Sequence, residues 1–427
     1  MGIKSGFLGF MDVHFTLFLC PIYGILILFR GILMFSNDNA LLMDDLRLRW
    51  CKVQEEMAVG GVDGMFVISN VNLVYLTGRV YMGGLYIPVK GDPLFFIRRP
   101  SGWTGEGVFP IRKIEQVPEL IAGEGLNLPK RIAIEEEEIS HAEFLRVAKT
   151  FPDAETVSAS SILRRRRAVK SPFEVEIMRA AGRAHADAYS RFPKLFKPDM
   201  TDRDFAVELE TELLRSGSLG MFRVHGQSME IFVGLVLTGD NAGAPSPYDF
   251  ALGGRGEHPS IPIGETGMPI RSGTTVLADL SWNTAGYLTD MSRVFSCGEI
   301  SPEARRLHSV AVAIESELAL ALKPGASCEA LYDLALKRAA EAEASDCFMG
   351  LSQKAKFIGH GTGLVINELP VLGARSKDVL EEGMCIALEP KFVLPGVGAV
   401  GVEDTYLVTT DGGVCLTELT REILPLC

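Results

Sequence analysis

The sequence predicts an α+β fold in two parts: an N-terminal α/β layer, then a larger region where helices alternate with antiparallel hairpins. Three observations carry this. Short β-branched and aromatic runs alternate with helical stretches up to about residue 165, helices with apolar residues at 3.6-residue spacing fill the rest, and two hairpins with an acid on each arm lie among those helices. At 47% hydrophobic and 22% charged residues, the 427-residue chain has the makeup of a globular protein long enough for two cores.

Residues 1–42 stand apart as an apolar extension. FTLFLCPIYGILILF at 15–29 is shorter than the roughly 20 residues that span a bilayer, and Pro21 and Gly24 weaken it as a helix. Only Lys4 precedes it and no A-x-A site follows, so it makes a poor signal peptide. Two readings stay open: a membrane anchor, or an over-extended start with translation beginning at Met34 or Met43. Either way, residues 1–42 are expected to be dispensable, because the α/β pattern begins near Leu46.

Residues 43–165 read as the first domain, with strands in GMFVISN, GGLYIPVK and PLFFIRRP and a helix in LRLRWCKVQEEMAVGG. The basic run at 164–167 reads as a solvated face at the junction. Residues 168–427 read as the second domain, with helices in EVEIMRAAGRAHADAYSRF, DRDFAVELETELLRSG, PEARRLHSVAVAIESELALAL and CEALYDLALKRAAEAEA. Thr201-Asp202 and Ser301-Pro302 mark helix starts and Pro324-Gly325 a stop. The Gly/Pro loop GGRGEHPSIPIGETG at 253–267 is expected at a cleft rim. A net charge of −12 and a pI near 5.2 argue against a nucleic-acid partner. Eight cysteines without C-x-x-C spacing predict reduced thiols and a cytoplasmic protein.

The acid hairpins carry the chemistry. Asp279 and Asp290 flank the turn of TTVLADLSWNTAGYLTDMSRVFSCG, and Glu389 and Glu403 that of IALEPKFVLPGVGAVGVEDTYLVT. The first midpoint falls between Thr284 and Ala285 and the second on Gly396, which sets the acids of each pair opposite one another. Opposed strand residues lie roughly 5 Å apart at Cβ, where two bare carboxylates repel unless a cation sits between them. A metal is the expected cation, because His360 of GHGTG falls between the hairpins in sequence. Carboxylates with one imidazole suit Mn²⁺, Zn²⁺, Fe²⁺ or Co²⁺, and two ions suit four acids better than one.

These stretches resemble the pita-bread metallopeptidases: methionine aminopeptidase, Xaa-Pro aminopeptidase, Xaa-Pro dipeptidase and creatinase. VLADLSWNTAGYLTDMSRVF, GHGTGLVINELP, GMCIALEP and VEDTYLVT resemble the family's metal-binding segments. LRRRRAVKSPFEVEIMRAAG resembles its helix entering the catalytic domain, and NVNLVYLTG the N-terminal domain of the creatinase and prolidase branch. The resemblance implies a pita-bread catalytic domain and the metal ligands Asp279, Asp290, His360, Glu389 and Glu403. Asp290 and Glu403 would bridge two divalent ions, with manganese favoured over Co, Zn or Fe. Asp279 would complete one ion, and His360 and Glu389 the other. Glu389 would be the general base, and a metal-bridging hydroxide would attack the bond before proline. It also implies a homodimer and a small-peptide or small-molecule substrate, with a membrane involved only if the first 35 residues are an anchor.

Three departures from the family pattern bear on substrate. Ser246 and Asn367 stand where members carry histidines, and Gly401 where many proline-specific members carry an arginine. Ser246 and Asn367 are expected at the substrate, and neither can carry a proton near pH 7. His258 and Tyr248 are the candidates to replace the missing proton carriers. His225 is a further cleft candidate, whereas His185 and His308 fall inside helical patterns and read as structural. An Xaa-Pro peptidase, a creatinase-like hydrolase or lyase of a small metabolite, and a catalytically silent binding module remain open.

Overall fold

The computed structural model describes residues 40–224 and 233–426. The apolar run at 15–29 and His225 lie outside the described residues. No described helix is long and apolar enough to cross a membrane.

The first described element is the helix Ala40–Val59, which buries Leu42, Leu46, Trp50, Val53 and Met57 along one face. It begins ahead of the expected pattern. A chain started at Met43 would lose the buried Leu42, so the helix reaches back into the segment expected to be dispensable.

The α/β layer that follows is a six-stranded mixed sheet in the order Val108–Pro110, Leu94–Arg99, Met82–Pro88, Gly64–Val67, Arg131–Ile134 and Glu155–Ser158. Helices Val117–Gly123 and His141–Thr150 contribute Val117, Ile121 and Val147 to the core beside Phe66, Phe96 and Ile132. The basic run lies in the helix Ser160–Ala168. It is paired as well as partly solvated: the exposed Arg165 and half-buried Arg166 meet Glu56, the half-buried Arg164 meets Glu137, and only Arg167 is buried, against Glu368 at 3.2 Å. Lys170 joins Glu368 at 2.9 Å. Burying these cations requires a partner, and Glu368 supplies it from the second half of the chain.

The expected helix starts at Thr201 and Ser301 operate as read, and Ser171 adds one that was not expected. Ser171 and Thr201 form capping boxes with Glu174 and Asp204, and Ser301 caps Pro302–Ala321 through the Ala304 amide. Two long strands, Thr274–Thr284 and Tyr287–Cys297, form the first acid hairpin. Because side chains alternate along a strand, Val276, Ala278, Leu280 and Trp282 pack in one cluster with Ala181 and Tyr189 of helix Pro172–Tyr189 and Phe205 and Leu209 of Asp202–Arg215. Asp279 has the opposite parity and points the other way.

The second acid pair sits in the same kind of frame. Ile386, Leu388, Tyr406 and Val408 pack with Leu307, Ile314 and Leu318 of helix Pro302–Ala321 and Leu331 and Ala335 of Cys328–Glu341. Glu389 and Glu403 follow the alternate parity. Each half thus turns an apolar face to its own helices and an acidic face to a shared interior.

His185 and His308 are structural, as expected from their helical positions. His308 Nε2 lies 2.6 Å from the Arg421 carbonyl. His185 is fully buried between Tyr189 and Trp282, with Nδ1 3.1 Å from Thr289 Oγ1. Burial, aided by the charge of Arg293, drops its pKa to about 3. Below pH 6.5 the unfolded chain takes up a proton that the folded chain refuses, so stability falls with pH down to about 3. Between pH 7 and pH 5 the protein is expected to lose about 2 kcal/mol more than His185→Leu does. Urea midpoints of both at the two pH values check this, and equal losses would contradict it.

Candidate metal centre

The first hairpin closes through Ala285 and Gly286, both at positive φ (54° and 92°), which is the type I′ geometry that matches strand twist. The resulting register pairs Asp279 with Ser292 and Asp290 with Ser281. The two aspartates are therefore diagonal, not directly opposed as their midpoint predicted. The turn sits later than that midpoint, and because the offset is two residues both acids stay on one face.

The second pair is opposed as expected. Leu388 pairs with Asp404 on one side and Lys391 with Gly401 on the other, so Glu389 faces Glu403 between them. An antiparallel bridge from Ser292 to Glu403 joins the two hairpins, with both N–H···O contacts at 3.2 Å. Asp279, Ser292, Glu403 and Glu389 form one rung. His360 enters from strand Phe357–Gly361, paired with Ala387, whose face Glu389 continues.

All five side chains converge. Asp290, His360 and Glu403 present ligand atoms within 4.8 Å of one another, and so do Asp279, Glu389 and Glu403. Asp279 and Asp290 are each 8% exposed, Glu389 4% and Glu403 1%. The ring of His360 sets Nδ1 3.0 Å from the Gly361 carbonyl. A proton on Nδ1 directed there leaves the Nε2 lone pair facing Asp290 at 3.9 Å and Glu389 at 3.7 Å.

Neighbouring groups hold the acids in place. Thr405 Oγ1 accepts from the Asp290 amide and donates to its carbonyl, both at 2.9 Å. Ser292 Oγ donates to Glu403 at 2.7 Å. Arg293, buried and paired to Asp404, donates to the Glu403 carbonyl.

One member of the cluster was missed in the sequence. Lys391, two residues beyond Glu389 on the same face, is fully buried and donates to Asp279 at 2.9 Å, Glu389 at 2.7 Å and Glu403 at 2.8 Å. The spacing E-P-K was the available signal, since residues two apart on a strand share a face. Burial alone would lower the Lys391 pKa, but the charges of Asp279, Glu389 and Glu403 hold the ammonium well above its ordinary value. Asp290 makes no bond to Lys391. Burial, then the charges of Glu403 and Asp279, hold its pKa well above the usual carboxylate range. Burial also pushes Asp279 up to about 6 against the pull of Lys391. The Asp290 side of the cluster is the one short of positive charge.

The donor set at Asp290, His360 and Glu403 fits one divalent ion, with two carboxylates and a free imidazole nitrogen. The second triad does not fit an ion as it stands, because the Lys391 ammonium fills it.

A cavity of about 120 Å³ opens over the acids, walled by Phe222, Phe250, Phe357, Ile366 and Val371, with Asn367 and Asp249 at its edge. Asn367 is thus at the site. Ser246 and Tyr248 instead line a neighbouring crevice of about 40 Å³, where Ser246 Oγ accepts from the Tyr248 amide. His258 is exposed and lies 2.7 Å from Ser260 Oγ. Neither His258 nor Tyr248 lines the acid cavity. A larger cavity, about 990 Å³, lies on the N-terminal sheet around Tyr81, Arg98 and Arg146, and none of the five acid-cluster residues borders it.

Comparisons with known proteins converge on one family. Residues 176–410 match the model of metallopeptidase family M24, and residues 49–169 that of the creatinase/prolidase N-terminal domain. The Xaa-Pro dipeptidase of Lactobacillus helveticus is 27% identical over 394 residues, covering 87% of this chain and 97% of that protein. Among solved structures, the Xaa-Pro dipeptidase from Bacillus anthracis superposes with a TM-score of 0.73 at 20% identity, covering 89% of this chain and 99% of its own. An X-Pro aminopeptidase from Thermotoga maritima gives 0.70 at 21% identity, with 86% and 98% covered.

Proposed function

From the premise that this chain belongs to metallopeptidase family M24, we propose that it is a divalent-metal-dependent hydrolase of small peptides, cleaving the bond before proline. The observation that carries this reading is the buried convergence of four carboxylates and one imidazole beneath an apolar-walled cavity. Asp290, His360 and Glu403 would hold the ion, with manganese favoured by the oxygen-rich donors. When bound, such an ion supplies Lewis acidity toward a carbonyl and toward water.

The chain's own residues do the rest. Glu389 has Oε2 engaged by Lys391, which leaves Oε1, 3.7 Å from His360, to take a proton from water and return it to the leaving nitrogen. Phe222, Phe250 and Phe357 exclude bulk water and offer an apolar surface to a pyrrolidine ring. A second reading, hydrolysis of a small non-peptide amide, is favoured by Asn367, an amide at the cavity edge where a proton-carrying imidazole is missing.

A panel of Xaa-Pro dipeptides and tripeptides set against small amides and amidines, with added Mn²⁺, separates the two. Cleavage of Xaa-Pro peptides that a chelator abolishes is the expected result. Turnover of a small amide with no peptide cleaved would replace this reading by the second.

A further inference from the structure

We propose that the ammonium of Lys391 is a built-in cation standing in for one of two divalent ions, so that the centre takes a single ion, held by Asp290, His360 and Glu403. The inference rests on reading the acid cluster as a metal centre and goes beyond it by fixing how many ions it takes and which residue sets that number.

Three observations carry it. First, an ammonium has three hydrogens and no lone pair. Lys391 directs those hydrogens at three different carboxylates, Asp279, Glu389 and Glu403, at 2.7 to 2.9 Å. A transition-metal ion sits roughly 2.0–2.2 Å from carboxylate oxygens, so an ion sharing these oxygens would overlap the nitrogen. Second, the lysine stem has a place prepared for it. Across the strand pair it faces Gly401, where any Cβ would come within 3.1 Å of Lys391 Cγ and 2.4 Å of the Pro390 carbonyl oxygen. The glycine at 401 and the lysine at 391 therefore belong together. Third, the uncompensated charge lies on the Asp290 side, which Lys391 does not reach. Four carboxylates and one ammonium leave an excess of three negative charges, which a single divalent ion at the Asp290 side reduces to one. A second ion would have to expel a lysine that is 0% exposed.

The test is the ion count. The purified protein and its Lys391→Ala variant are titrated with Mn²⁺ by calorimetry, and bound metal is measured after gel filtration. One ion per chain in the unaltered protein and two in Lys391→Ala are expected. Two ions in the unaltered protein would overturn the inference whatever the variant does, and leave the metal reading intact. One ion in a Lys391→Ala protein that still melts cooperatively would overturn it too. No ion in either protein would overturn the metal reading and this inference together.

Discussion

Asp290→Ala is expected to lower kcat/KM on an Xaa-Pro dipeptide by about a thousandfold or more and to abolish Mn²⁺ binding, since a bound ion contributes several kcal/mol to such a transition state. Asp290 is the acid that Lys391 does not reach. Burial and the charges of Glu403 and Asp279 hold its carboxyl well above the usual carboxylate range. Its loss removes a ligand that nothing nearby replaces. The fold should survive, because the residue's backbone stays clamped to Thr405 and the smaller side chain relieves repulsion. Asp279→Asn is the contrasting variant: Asp279 bonds the ammonium, so the Mn²⁺ count should stay at one. Steady-state kinetics with calorimetry check both, and near-normal activity of Asp290→Ala would contradict the assignment.

Asn367→His is expected to raise turnover on the same dipeptide by about 10² to 10⁴, the range that a positioned acid-base group contributes. Asn367 lies at the edge of the cavity over the acids and, as an amide, cannot deliver a proton to the leaving nitrogen. An imidazole there adds a second proton donor beside Glu389. The corresponding change at Ser246 should do far less, because Ser246 lines the neighbouring crevice. His258→Ala should leave turnover unaltered, since that ring is exposed and set against Ser260. Single-turnover rates of the three variants test this, and a collapse of activity in His258→Ala with no gain in Asn367→His would show that the loop histidine carries the proton.

The architecture was legible because it rests on local rules. Capping residues at Ser301 and Thr201, strand alternation around Asp279 and the opposed arrangement of Glu389 and Glu403 all follow from spacing. The first hairpin's register did not, because a two-residue turn at Ala285-Gly286 cannot be told by counting from one a residue earlier. The pairing of Arg164, Arg165 and Arg166 with Glu137 and Glu56, and of Arg167 with Glu368, joins residues far apart in sequence, which composition cannot reveal. Lys391 is the instructive miss. Repulsion among the acids correctly demanded a positive charge between them, yet a lysine two residues from Glu389 supplies part of it. A side-chain cation meets the same electrostatic demand as a metal.

The most direct test of the centre is a crystal of the protein soaked in Mn²⁺ and measured for anomalous scattering at the manganese edge. One anomalous peak per chain among Asp290, His360 and Glu403, with Lys391 Nζ still bonded to Asp279, Glu389 and Glu403, is the predicted result. Two peaks with Lys391 displaced, or no peak at this cluster, would contradict it.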